Sequence, residues 1–284
     1  EVTDGLVTAL CSNLGAAEAQ RAGRARPENI QAWALCVQAE NLIVTRRTVD
    51  ALLESERLAR RATEIEPGYA ASWSTLAYLA SLKIAWGLSA DLAGDSQAAL
   101  ALAGKALSLA PNDPVVLAYC GYAATWSGQA ARGVAYLERS ISINPNNSLA
   151  RVTYGAAFIL NGKIQDALAQ LQRFIRRSPR DTSIGLAYFY VTFVYLLMDD
   201  FIEAESAARM CVGYMPGFPW VWLVHAISLA ALGREAEAAQ QMAELHRLSP
   251  GWTRRHVEDF WNHVVLDKLQ AEKMIALTRM AWGD

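Results

Sequence analysis

Side chains able to do chemistry are sparse in this sequence, so the first matter is whether any stand at useful spacings. His256, Asp259 and His263 in the run HVEDFWNH fall at i, i+3 and i+7, one face of a helix, and imidazoles with a carboxylate are zinc-type donors. Two histidines two turns apart leave such a site short of donors. The run therefore reads as the polar face of a terminal helix, and no metal site is expected. Arg173, Arg176, Arg177 and Arg180 could meet phosphate or acidic protein. Arginines at a helix C-terminus also suit its dipole, and a solvated face explains them. Asn161-Gly162-Lys163 reads as a turn between helices rather than a phosphate loop, and His225 sits where a core residue belongs. With no Gly-rich phosphate loop, no GxSxG elbow and no HExxH, the sequence offers no catalytic residue, requires no cofactor and reads as no enzyme.

Composition narrows the remaining classes. Hydrophobic residues make up 53% of the 284, much of it alanine, which suits closely packed helices. No apolar run approaches the roughly 18 uncharged residues of a membrane span, and the nearest, 184–198, is short. A formal net charge of −2 gives no electrostatic case for nucleic acid or an anionic membrane. Cys11, Cys36, Cys120 and Cys211 lie far apart with no CxxC pair. Cys36, Cys120 and Cys211 occupy helix positions expected to point into the packing and read as small buried hydrophobes of a reducing compartment, so a cytoplasmic location is expected. No signal-peptide pattern is seen. The chain opens at Glu1 inside a helical pattern, as expected of a piece of something longer.

The elements that position these residues repeat. DPVVLAYCGYAATWSGQAARGVAYLERSISINP and NSLARVTYGAAFILNGKIQDALAQLQRFIRRSP follow one pattern: an apolar helical run with a central Gly (Gly121, Gly155), a short polar break, a second amphipathic run and a proline. Pro111, Pro145 and Pro179 are 34 residues apart, as are Pro216 and Pro250. Two helices per 34 residues is the period of a tetratricopeptide repeat. Gly121 and Gly155 are expected to let the paired helices approach closely, with Ala167, Ala204 and Ala238 doing the same from the second helix.

The expected fold is all-α, a right-handed superhelix of about six helix-turn-helix units. An N-terminal helix or linker occupies 1–29, with its helix over 2–24. The units run 30–69, 70–113, 114–147, 148–181, 182–218 and 219–252, and capping helices fill 253–284. The first unit carries about six extra residues, expected in the turn around 45–49. The ten extra of the second are expected in a loop over 87–95, and the three extra of the fifth in a longer first helix, 184–198.

Beyond the period, the stretches EVTDGLVTAL, RPENIQAWALCVQAENL, LARRATEIEPGYAASWSTLA, WGLSADLAGDSQAALALAGKALSLAPNDP and PGFPWVWLVHAISLAALGR resemble a particular family. It is the C-terminal repeat region of large bacterial signalling proteins. There a class III adenylate/guanylate cyclase domain, or a winged-helix DNA-binding domain, precedes a TolB-like segment and then the repeats. The resemblance implies a signalling context. The cyclase's metal-binding aspartates have no counterpart in this sequence.

In such a superhelix the first helix of each unit lines the concave side. One step around from the core face stand Tyr78, Tyr122, Trp126, Val152, Ile159, Phe189, Phe193, Trp220, Leu223 and Ile227, an apolar and aromatic lining. None is a Lys, Arg or Asn of the kind that holds a carboxylate tail. Two readings stand: a groove that takes an amphipathic or hydrophobic helix, or tight curvature that buries these residues against each other. The helix could come from a protein or peptide partner, a second copy, or the chain's own terminal segments. The functional expectation is a non-catalytic interaction scaffold. The alternatives are the regulatory C-terminal portion of a nucleotide cyclase and a homodimerisation module.

Overall fold

The computed structural model describes residues 30–283, and these form helices with no strand among them. The expected helix over 2–24, its unit 1–29 and Cys11 lie outside the described residues. The helices are α1 (Ile30–Arg46), α2 (Val49–Ile65), α3 (Ala70–Ala85), α4 (Leu92–Leu109), α5 (Pro114–Trp126), α6 (Ala130–Ile143), α7 (Ser148–Leu160), α8 (Ile164–Arg177), α9 (Ile184–Leu197), α10 (Phe201–Tyr214), α11 (Pro219–Ala231), α12 (Glu235–Leu248), α13 (Arg254–Val264) and α14 (Lys268–Trp282). The first twelve pair in sequence as six antiparallel hairpins.

Local chemistry sets the pair geometry. Asp113 caps α5 by accepting from the Val115 and Val116 amides, and Pro114 opens the helix with its φ already fixed. At the other end Gly128 turns left-handed at φ 74°, and the Gln129 amide donates back to Ala124 O at 2.9 Å. That backward bond satisfies an orphan carbonyl and ends the helix. The same turn recurs at Gly87, Gly162 and Gly233, with Leu88, Lys163 and Arg234 as the returning donors. The antiparallel helix then comes close. A Cβ on Gly121 would lie 2.6 Å from Leu137 Cγ, and one on Gly155 would lie 2.6 Å from Leu171 Cγ. Ala167, Ala204 and Ala238 are buried opposite.

The extra residues do not all fall where the period suggests. The first pair spends its surplus on helix, with 17 residues in each of α1 and α2 and only Arg47 and Thr48 between them. With no Gly or Pro in 41–52, the break is confined to Arg47 at φ 48° and the capping Thr48, so the expected long turn does not form. In the second pair the connection is residues 86–91. Leu92 to Asp95 are already helical, because the Asp91 carboxylate caps α4 by accepting from the Gly94 amide. In the fifth, α9 is 14 residues against 13 in α5, α7 and α11, and the connection before it, 178–183, is longer than the four-residue 144–147.

The stack curves until its first two pairs reach the connections that flank α9 and α10. From the α1–α2 turn, Arg47 reaches Met215 Sδ at 2.9 Å and donates to Thr182 O at 3.2 Å. Trp86, at the end of α3, lies 6.0 Å from Phe218, which precedes α11. One continuous apolar core runs from Ala39 to Leu277.

Candidate functional site

Ten residues are expected to line the concave side. Nine of them are buried: Tyr122, Trp126, Val152, Ile159, Phe189, Phe193, Trp220, Leu223 and Ile227. Tyr78 is partly buried, stacked on Tyr119 at 4.8 Å and edge-on to Tyr122 at 4.8 Å.

Much of this surface is covered by α13 and α14 of the same chain. Val257, Phe260, Trp261 and Val264 form an i, i+3, i+4, i+7 stripe on α13, all buried. Phe260 stacks near Trp126 at 6.1 Å and meets Trp220 at 4.5 Å. Trp261 meets Phe193 at 5.2 Å and Trp220 at 5.4 Å, and Trp252 closes on Trp220 at 4.7 Å. On α14, Ala271, Met274 and Leu277 turn inward. The terminal segment is expected to cap the end of the stack: α14 packs against α11 and α12 of the sixth pair, while α13 lays its stripe against Trp126, Phe193 and Trp220. Complementarity explains this packing, since an aromatic lining and an apolar helical stripe each leave less surface to water when joined. The stripe at 257–264 was the sequence signal for this occupant.

Polar contacts fasten the hairpin edge by edge. His256 Nε2 lies 2.7 Å from Gly87 O, and His263 Nε2 lies 2.9 Å from Ser96 Oγ. The Leu266 amide donates to Leu160 O at 3.0 Å, and Lys273 Nζ donates to Leu197 O and to Asp199 at 2.8 and 2.6 Å. Arg279 binds Glu258 at 2.9 Å, and Trp261 Nε1 donates to Thr278 Oγ1 at 3.2 Å, which joins the two helices. The histidines therefore serve as docking contacts. Among the described residues no three His, Cys, Asp or Glu side chains gather as a metal site.

Little space remains. A cavity of about 20 Å³ persists between groove and hairpin among Trp126, Ile159, Tyr190, Phe193, Trp261 and Met274, room for about one water. A second cleft of about 290 Å³ opens beside the 86–91 connection, lined by Gly87, Ser89, Asp91, His256, Asp259 and Phe260.

Buried titratable groups act structurally. Burial pushes the Cys36 and Cys120 thiols up to about 12, with Glu40 adding to the rise at Cys36, and it raises Cys211 further. None of the three is a ready nucleophile. Glu40, invisible to sequence reasoning, is partly buried between α1, α3 and α5. Burial raises its pKa against the hydrogen bonds of Thr75, at 2.9 Å, and Tyr119. His225 is buried in the sixth pair with Nε2 3.4 Å from Glu205; burial lowers its pKa although Glu205 works to raise it. Arg173, Arg176, Arg177 and Arg180 are exposed on the outer side of α8 and just beyond it. Among the described residues no helix is long and apolar enough to cross a membrane.

No protein-family model and no curated protein matches the sequence. Solved structures do. A thermophilic TPR protein of Thermus thermophilus aligns at 19% identity, covering 66% of this chain and 92% of its own, with a TM-score of 0.51. The Cut9–Hcn1 hetero-tetramer of APC/C aligns at 13% identity over 84% of this chain and 46% of that one, TM-score 0.59. A monomeric mutant of IFIT1, solved with Gppp-AAAA, aligns at 14% identity over 98% of this chain and 63% of that one, TM-score 0.67. At these identities the likeness is one of fold: the chain is an all-α helix-turn-helix superhelix of the tetratricopeptide-repeat type.

Proposed function

We propose that this chain is a non-catalytic protein-interaction scaffold whose concave apolar groove is a helix-binding groove. Its occupant in the folded chain is the α13–α14 hairpin. The observation that carries this reading is the pairing of Trp126, Phe193 and Trp220 with Phe260 and Trp261 across the groove. Six large apolar side chains on the hairpin, at about 1.5–3 kcal/mol each, contribute on the order of ten kcal/mol or more. That is comparable to the whole stability of a domain, so a partner helix gains entry only by offering an equivalent face. Cut9–Hcn1, which shares the fold, is itself an assembly. The stretches shared with bacterial signalling proteins would make the scaffold the regulatory repeat portion of such a protein.

The test loosens the hairpin and offers a substitute. A fluorescent peptide spanning residues 252–266 is titrated against the intact chain and against the Phe260→Ala/Trp261→Ala variant. Saturable binding to the variant and none to the intact chain is expected. Binding to neither, or equally to both, would show that the groove does not select this helix.

A further inference from the structure

The outer side of the fourth helix pair carries a charge pattern at odds with the chain as a whole. Residues 148–180 hold six Lys or Arg and one acid, Asp166, a formal +5 inside a chain of net −2. Many exposed arginines elsewhere are matched within a helical turn or across a hairpin. Arg57, Arg60, Arg61, Arg234, Arg247 and Arg279 all sit within 2.9 Å of a carboxylate oxygen. Arg151, Arg173, Arg176, Arg177 and Arg180 make no ion pair among the described residues, and no Asp or Glu exists between 167 and 180 to provide one. Asp181, at the edge, is engaged by Ser148 Oγ and by the Ser183 amide.

Helix-dipole compensation accounts for only part of this. Arg176 and Arg177 close α8, where a cation gains about 0.3–1 kcal/mol. Arg151 is the fourth residue of α7, at the positive end of its helix, where a cation is disfavoured. Its guanidinium donates to Pro145 O, which holds it beside its neighbours. Burial, and then the charges of Arg177 and Arg173, lower its pKa below the usual arginine range. The fold thus gathers like charges from two helices onto one surface and leaves them unmatched.

We propose that this surface, centred on Arg173, Arg176 and Arg177 with Arg151 and Arg180 beside them, docks an acidic, Asp- and Glu-rich segment of a partner protein. Planar guanidiniums recognise carboxylates in pairs, with two parallel hydrogen bonds each. The helical run from 173 to 177 spans about 6 Å at about 1.5 Å per residue, the length of roughly two residues of extended peptide, and Arg180 lies just beyond it. A single nucleic-acid strand is held by a basic track combined with exposed stacking aromatics, and Phe174, the aromatic of this stretch, is buried. The surface lies outside the groove, so it stands whether or not the groove admits another helix.

The experiment uses the whole 284-residue chain and a fluorescein-labelled glutamate-rich peptide of about ten residues, read by anisotropy in about 50 mM salt. Arg173→Glu/Arg176→Glu/Arg177→Glu is compared with Arg57→Glu/Arg60→Glu/Arg61→Glu, an equal charge change on α2; circular dichroism checks that both remain folded. Binding by the unaltered chain, weakened about tenfold or more by the α8 triple variant and kept by the α2 variant, is expected. Equal loss in both variants, or no binding by the unaltered chain, would overturn the proposal. So would tighter binding of a single-stranded oligouridylate of the same length, lost through the same three arginines.

Discussion

Trp126 and Phe260 lie with ring centroids 6.1 Å apart and planes inclined by 26°. The first belongs to the third helix pair and the second to the terminal hairpin. Phe260 also touches Trp220 of the sixth pair, so a single ring spans the groove.

Replacing that ring should be felt through the whole fold. Phe260→Ala removes a fully packed aromatic side chain and is expected to cost about 3–5 kcal/mol. Urea denaturation followed by tryptophan fluorescence measures it. A midpoint unmoved from that of the unaltered chain would mean that the hairpin adds little stability.

The fifth pair turns through Asp199 at φ 60°, where the second, third, fourth and sixth turn through glycine. A non-glycine residue there is held at some steric cost, and Asp199 in return binds Lys273 at 2.6 Å. Asp199 is largely open to solvent and Lys273 partly so, and such a pair is worth about 0–1 kcal/mol. Asp199→Gly relieves the backbone and loses the pair, so stability should stay within about 1 kcal/mol. Asp199→Val loses the pair and keeps a branched side chain at positive φ, and should fall at least about 1 kcal/mol below the glycine variant. Thermal melts of the two, side by side, decide it.

Acid should weaken the hairpin's dock. Burial holds His263 below the ordinary histidine pKa of about 6.5, and burial lowers His225 in the same direction. Across the window beneath that ordinary value the unfolded chain binds more protons than the folded one. The stability from neutral rings is therefore complete above it and is lost as pH falls toward the folded values. Unfolding free energies at about pH 7.5 and about pH 5.5 should show the decline, and His263→Gln should flatten it. An unchanged slope in that variant would remove His263 from the account.

Much of the architecture could be read from the chain because its punctuation is local. Pro114, Gly128 and Gly162 fix where helices begin and end without reference to distant residues, and Gly121 and Gly155 mark where neighbours touch. Helical spacing alone also marked Tyr122, Trp126 and Phe193 as inward-facing, and all three are buried. The cover itself is a tertiary choice. The stripe Val257, Phe260, Trp261, Val264 suits a cap on the stack's end as well as a strap across its inside, and only the match to Trp126, Phe193 and Trp220 decides between them. The first pair's lengthened helices escaped for a related reason: residue count gives a surplus, and local breakers, absent there, say where it goes. Glu40 left no trace because its partners Thr75 and Tyr119 come from other helices.

Arg47 reaching Met215 and Thr182 alters how the molecule comes apart. An open row of repeats frays from its termini, each unit leaning only on the next. Here the first pair is tied to the fifth, so peeling α1 and α2 away must also break contacts on the far side of the curve. Fraying from that end is then opposed from across the groove, and amides in α1 and α2 should exchange with solvent more slowly in the unaltered chain than in an Arg47→Ala variant.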